Sequence, residues 1–324
     1  MPVGGILRGR VPAVIGVVLA VVFAGCGDGN VGGLSGSPDS PIAAAPVRSG
    51  MAVAVSSETF VDTHNPTPSN GTFPQKPSRT LVTTIVAPLG AAGPFPLIVF
   101  SHGYSGSPAH YDQLLRAWGA AGFVVAAPTF PLTNGDAPGG PTRNDIVNQP
   151  GDVTFVITQM LRLSADPASN LHGLIDRHRI GAAGHSMGAV TTLGVALDTC
   201  CRDYRVATAV IMAGNEFAFP KGAYPGPDHI PVLFMHGRVD ESVPYNSGLL
   251  AYFDAHPPKF FVTLEGSGHN QAFTGDPDRA DDRVVAKTTI DFFDRYLKKS
   301  ADGLARLRQD GVVSGIATLQ EAEK

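Results

Sequence analysis

The 324 residues carry 24 Lys and Arg against 28 Asp and Glu, a formal net charge of −4, with 43% hydrophobic and 16% charged residues. That balance describes a globular chain with a sizeable core and excludes a disordered one. A mildly acidic chain without a basic, aromatic-interleaved patch also excludes a nucleic-acid partner.

At the amino terminus Arg8 and Arg10 precede the apolar run VPAVIGVVLAVVFAG, Val11 to Gly25, so residues 1–25 read as an export signal. The run is shorter than the ~20 residues a spanning helix needs. Ala24 and Gly25 directly before Cys26 resemble the end of a bacterial lipoprotein signal, with Phe23 where leucine is usual. The resemblance implies that Cys26 becomes the lipidated first residue and attaches the protein to a membrane of the cell envelope; without lipidation the protein is secreted. Residues 26–50 are rich in Gly, Ser, Pro and Ala without periodicity, as a flexible linker would be. Apart from Cys26, the cysteines are the adjacent pair Cys200 and Cys201. They allow no long-range disulfide framework; two thiols packed at a helix end are favoured over a vicinal disulfide. Without CxxC or HExxH spacing, no metal site is expected.

Residues 51–300 read as one catalytic domain and 301–324 as a C-terminal tail with a weak helical pattern. AVAVSSETFV and RTLVTTIVAP open as strands, the second alternating apolar and polar residues. PLIVFSHG is a short continuous apolar run, as expected of a strand covered on both faces. A helical pattern in YDQLLRAWGAAG, holding Trp118 as a core residue, leads to the strand FVVAAP and a loop from Thr129 to about Pro150. Next come the helix DVTFVITQMLRLSA, the strand RIGAAG, a helix from Met187 to about Leu197, and the strands RVATAVIMAG and IPVLFMHG. The helical NSGLLAYFDA, the strand KFFVTLEG and the helix VAKTTIDFFDRYLKK complete the domain. Buried runs joined through helices predict an α/β protein with a mostly parallel sheet and helices on both faces.

In AAGHSMGAV, Ser186 stands between Gly184 and Gly188, after a predicted strand and before a helix. That context makes G-x-S-x-G a nucleophile elbow, whose sharp turn tolerates little bulk beside the serine. Asp240, in HGRVDESVP, and His269, in EGSGHNQAF, follow later strands in turns. All three are expected at carboxyl ends of parallel strands, where open α/β sheets place their sites. Glu216, after the strand ending in MAG, and Glu265, four residues before His269, are the competing acids. His185 and His102 read as braces of their loops rather than as the base.

From PLIVFSHGYSG to SGHNQAF the chain resembles α/β-hydrolases of the esterase–lipase type, among them dienelactone-hydrolase-like, platelet-activating-factor-acetylhydrolase-like and cutinase-like polyester hydrolases. The order Ser186, Asp240, His269 and the elbow Gly184-His185-Ser186-Met187-Gly188 carry it. The resemblance implies an α/β-hydrolase fold and a serine esterase that cleaves carboxylic esters through an acyl-enzyme, with no cofactor. Backbone N–H groups of Met187 and Tyr104 would form the oxyanion hole, with Gly103 as substitute for Tyr104. NEFAFPKGAYPGPDH is too short for a cap domain, so an open groove is expected, compatible with small or chain-like esters. Polyester or lipase activity, acyl transfer or amide cleavage by the same triad, and a non-catalytic binding role are the alternatives. Asn215 and Glu216 stand where polyester hydrolases usually carry tryptophan.

Overall fold

The computed structural model describes residues 50–227 and 229–324. The segment read as an export signal, Cys26 and all but the end of the segment read as a linker lie outside them. No described helix is long and apolar enough to cross a membrane.

Nine strands form one sheet: β1 (Val53–Asp62), β2 (Arg79–Pro88), β3 (Phe95–Ser101), β4 (Val124–Thr129), β5 (Ile175–His185), β6 (Val206–Met212), β7 (Val232–Gly237), β8 (Lys259–Leu264) and β9 (Ala317–Ala322). Their order across the sheet is β1-β2-β4-β3-β5-β6-β7-β8-β9. The run from β4 to β8 is parallel, while β1, β2 and β9 add antiparallel edges. The order reverses around β3, whose neighbours are β4 on one side and β5 on the other. Ligand crevices of doubly wound sheets open at such a reversal. In the β3–β5 ladder Ser101 pairs with Gly184, so the two strands end side by side.

The helices are α1 (Asp112–Ala120), α2 (Gln149–Ala165), α3 (Met187–Leu197), α4 (Tyr245–Asp254), α5 (Ala280–Tyr296) and α6 (Gly303–Asp310). Strand side chains alternate between two cores because successive residues face opposite ways. Val99 packs with Val156 of α2, Leu193 of α3 and Tyr252 of α4. Ile98 and Phe100 pack with Trp118 of α1, Phe293 of α5 and Leu307 of α6. Trp118 is fully buried and its indole N–H donates to Thr289 Oγ1 at 2.9 Å, as its core reading required.

Two segments differ from the sequence reading. Residues 301–324, read as a tail, supply α6 and the edge strand β9, which pairs with β8 along its whole length. The alternation in ATLQEA is too weak to announce a strand, and pairing to a neighbour decides it. Cys200 and Cys201 are joined as a vicinal disulfide in the turn after α3, where packed thiols were favoured.

A buried ion cluster ties the antiparallel edge to the long loop after β4. Arg79 on β2 donates to Asp152 of α2 at 2.7 and 2.6 Å and to Asp145 at 3.0 and 2.8 Å. Asp145 lies in a 3₁₀ turn, Arg143–Asn148, inside that loop.

Candidate active site

Ser186 sits at φ 57° and ψ −122°, between β5 and the first residue of α3. A non-glycine residue there stores roughly 1–3 kcal/mol of backbone strain, held by the packing around it. The flanking glycines are required by contact. A Cβ on Gly184 would lie 2.1 Å from the Gly188 carbonyl oxygen, and one on Gly188 would lie 2.0 Å from that of Ser101.

The loops after β7 and β8 bring two partners to this serine. Ser186 Oγ is 2.8 Å from His269 Nε2, and His269 Nδ1 is 2.8 Å from Asp240 Oδ2. The Asp240 side chain is fully buried. Its Oδ1 accepts the backbone N–H groups of Ser242 and Val243, each at 2.8 Å. His236 Nε2 lies 3.2 Å from Oδ2 and 3.0 Å from the Val243 carbonyl. Burial alone would raise the Asp240 carboxyl, but the hydrogen bond from His269 and those from the backbone hold it below the ordinary range.

The competing acids turn elsewhere. Glu265 pairs with Arg238 at 3.1 Å. Glu216 faces Asp254, and burial together with that second carboxyl pushes it up to about 7. An acid raised in the folded state contributes stability that is full below its unfolded pKa near 4.5 and lost as pH rises through about 7. Glu216→Gln is therefore expected to remove this fall. At pH 8 it should exceed the parent by on the order of 1 kcal/mol after solvent screening, as thermal melts at pH 5 and pH 8 will show.

Both bracing histidines are wired as neutral rings. The Phe130 N–H donates to His102 Nε2 at 3.0 Å, which leaves the proton on Nδ1, facing the Gly103 carbonyl at 2.8 Å. Burial pushes His102 down to about 4. His185 Nε2 faces the carbonyl of His269 at 2.7 Å and must donate to it, so its Nδ1 accepts from the Tyr111 hydroxyl at 2.8 Å. Burial, then the neighbouring His269, pushes His185 down to about 3. The elbow thus grips the backbone of the residue placed against its serine.

Tyr111 was not singled out in the sequence, since no spacing motif marks it. Its hydroxyl also accepts the Gly103 N–H at 3.3 Å, which engages the substitute oxyanion donor. Among the described residues no hydrogen bond engages the N–H of Tyr104 or Met187. The loop does reach Ser186, since a Cβ on Gly103 would lie 3.2 Å from Ser186 Cβ. The Met187 side chain packs away, beside Ile146, Val190 and Phe219.

The loop that carries His269 is pinned from α5. Asp282 Oδ1 accepts from Thr274 Oγ1 at 3.0 Å and from the N–H groups of Gly275 and Asp276 at 2.6 and 3.1 Å. Ser267 Oγ donates to Asp281 at 2.7 Å. These acids in the first turn of a helix favour its positive end as they hold the loop.

A groove of about 490 Å³ opens over Ser186 and His269, walled by Tyr104, Arg143, Val243 and Asn270. The described residues between β6 and β7 hold no helix, so none from that connection covers it. Among the described residues the one group spaced to share a metal ion is Asp198, Cys200 and Cys201, and its two sulfurs are bonded to each other.

Residues 56–213 match the family model described as Chlorophyllase, an α/β-hydrolase-like family. The chain has the α/β-hydrolase fold. The matched part of this hydrolase fold runs from β1 to just past β6, so it takes in the loop after β3 and the elbow and stops before Asp240 and His269. A comparison with curated proteins returns no match.

Proposed function

We propose that the protein is a serine hydrolase of carboxylic esters, with Ser186 as nucleophile, His269 as base and Asp240 as acid. The observation that carries this reading is the unbroken chain Asp240–His269–Ser186 at 2.8 Å per link, which reaches the groove at His269 and Ser186. The family match agrees with an esterase of this class.

Serine is a poor nucleophile at neutral pH, so its proton must leave as the bond to the carbonyl forms. His269 Nε2 takes it, while the Nδ1–H donated to Asp240 holds the tautomer and steadies the imidazolium. The N–H groups of Tyr104 and Met187 receive the developing oxyanion, each worth roughly 3 kcal/mol to the barrier. The α3 N-terminus beneath Ser186 favours the same negative charge. His269 then protonates the leaving alcohol, and water, activated by the same base, frees the acid.

A fluorophosphonate is expected to label the parent protein, and Ser186→Ala should lose both labelling and turnover of p-nitrophenyl acetate. Labelling that persists in this variant would place the nucleophile elsewhere.

A further inference from the structure

Arg143 is the one permanently charged side chain lining the groove, and among the described residues no carboxylate lines it. Surface arginines ordinarily find an acid or extend into water. This one sits over the Tyr104 ring, its guanidinium carbon 4.3 Å from the centroid, with no salt-bridge partner among the described residues. The ring beneath it and the turn that carries it are both held. The Tyr104 hydroxyl donates to the Pro141 carbonyl at 2.9 Å, and Thr142 Oγ1 caps the 3₁₀ turn by accepting from Asn144 N–H at 3.3 Å. Two residues on, Asp145 is locked by the buried Arg79.

A cation stacked on an aromatic face still has its in-plane N–H donors free, and a guanidinium offers them as a fork that matches a carboxylate or phosphate. The contact with the Tyr104 ring already favours one placement of this exposed side chain, so less conformational freedom is lost on binding. The aromatic ring it covers belongs to the residue whose N–H is the proposed oxyanion donor, and Arg143 and Ser186 line the same groove.

We infer that Arg143 is a specificity-determining residue that selects esters bearing an anionic group, a carboxylate or phosphate, on the acyl or the alcohol side of the scissile bond. This rests on the ester hydrolase reading above. Electrostatic attraction in a walled groove supports both capture and orientation of such a substrate. A charge-assisted bidentate contact of this kind is worth about tenfold to a hundredfold in kcat/KM.

The test compares pairs of esters matched in size, one member anionic and the other neutral. Mono-p-nitrophenyl glutarate against p-nitrophenyl valerate places the anion on the acyl chain. 4-(Pentanoyloxy)benzoate against 4-(pentanoyloxy)benzamide places it on the leaving alcohol. The parent should prefer the anionic member of at least one pair by about tenfold or more, and 1 M salt should shrink that preference. Arg143→Gln should lower the anionic-to-neutral ratio by about tenfold or more, chiefly through KM, and Arg143→Lys should restore part of it. Arg177→Gln removes a charge exposed at the start of β5 and should leave the ratio as it is. Equal rates within both pairs, or an equal effect of the two glutamine variants, overturn the inference while the hydrolase reading stands. Failure of the parent to cleave any of the four esters overturns both.

Discussion

Asp240→Asn is expected to lower kcat by about 10³–10⁴-fold while the protein keeps its fold and its melting temperature within a few degrees. The orientation of the carboxylate decides this. Oδ1 is committed to the backbone N–H groups of Ser242 and Val243, so an asparagine there keeps its carbonyl oxygen on that side. Its amide nitrogen then replaces Oδ2 and presents hydrogens to His269 Nδ1, where the structure has an acceptor at 2.8 Å. The imidazole must answer with the tautomer that carries its proton on Nε2, aimed at Ser186 Oγ, and a protonated Nε2 accepts nothing from serine. Steady-state kinetics with a neutral p-nitrophenyl ester, beside a thermal melt, separates this result from simple unfolding. A loss smaller than tenfold would move the acid to another residue, with Glu216 and Glu265 both distant from the role on their present partners.

The largest expected effect on stability comes from Arg79→Met, which should cost about 3–5 kcal/mol and lower the melting temperature by roughly 10 °C. The guanidinium is almost wholly buried, and so are the two carboxylates it holds. Burial already pushes the Asp152 carboxyl up to about 6 with its counter-charge in place. Taking the arginine away leaves two acids desolvated with nothing to balance them, a heavier penalty than the pair's own net worth. The triple variant Arg79→Met, Asp145→Asn, Asp152→Asn should therefore recover most of the loss. Denaturant unfolding of the three proteins checks the order. If the triple variant is no more stable than the single one, packing of the arginine stem rather than uncompensated charge explains the result.

The residues that were legible in the sequence share a physical property: their roles follow from local geometry. The glycines around Ser186 announce a turn in which side chains cannot fit, and the contacts at Gly184 and Gly188 bear that out. The continuous apolar run of β3 announces burial on both faces, and the doubly covered sheet follows. Features that depend on pairing across the chain were silent. β9 is recognisable only beside β8, Tyr111 only between Gly103 and His185, and the buried carboxylates of the Arg79 cluster look like ordinary surface acids when read singly. Long-range hydrogen bonds impose no period on a sequence, so no window of residues could have shown them.

The alignment of β3 with β5 carries a last consequence for the oxyanion donors. Ser101 and Gly184 are ladder partners, and Tyr104 and Met187 each stand three residues beyond them. The two proposed donors thus stand at equal chain distance from one ladder pair, so the register of β3 against β5 helps to place them. A slip of one residue between those strands would dismantle the pair even with every catalytic side chain intact. Conversely, the chemistry at 104 and 187 asks only for an N–H, so any residue other than proline can supply it. On this reading the proposed oxyanion hole depends on the sheet, and the side chains at positions 104 and 187 are left free to vary.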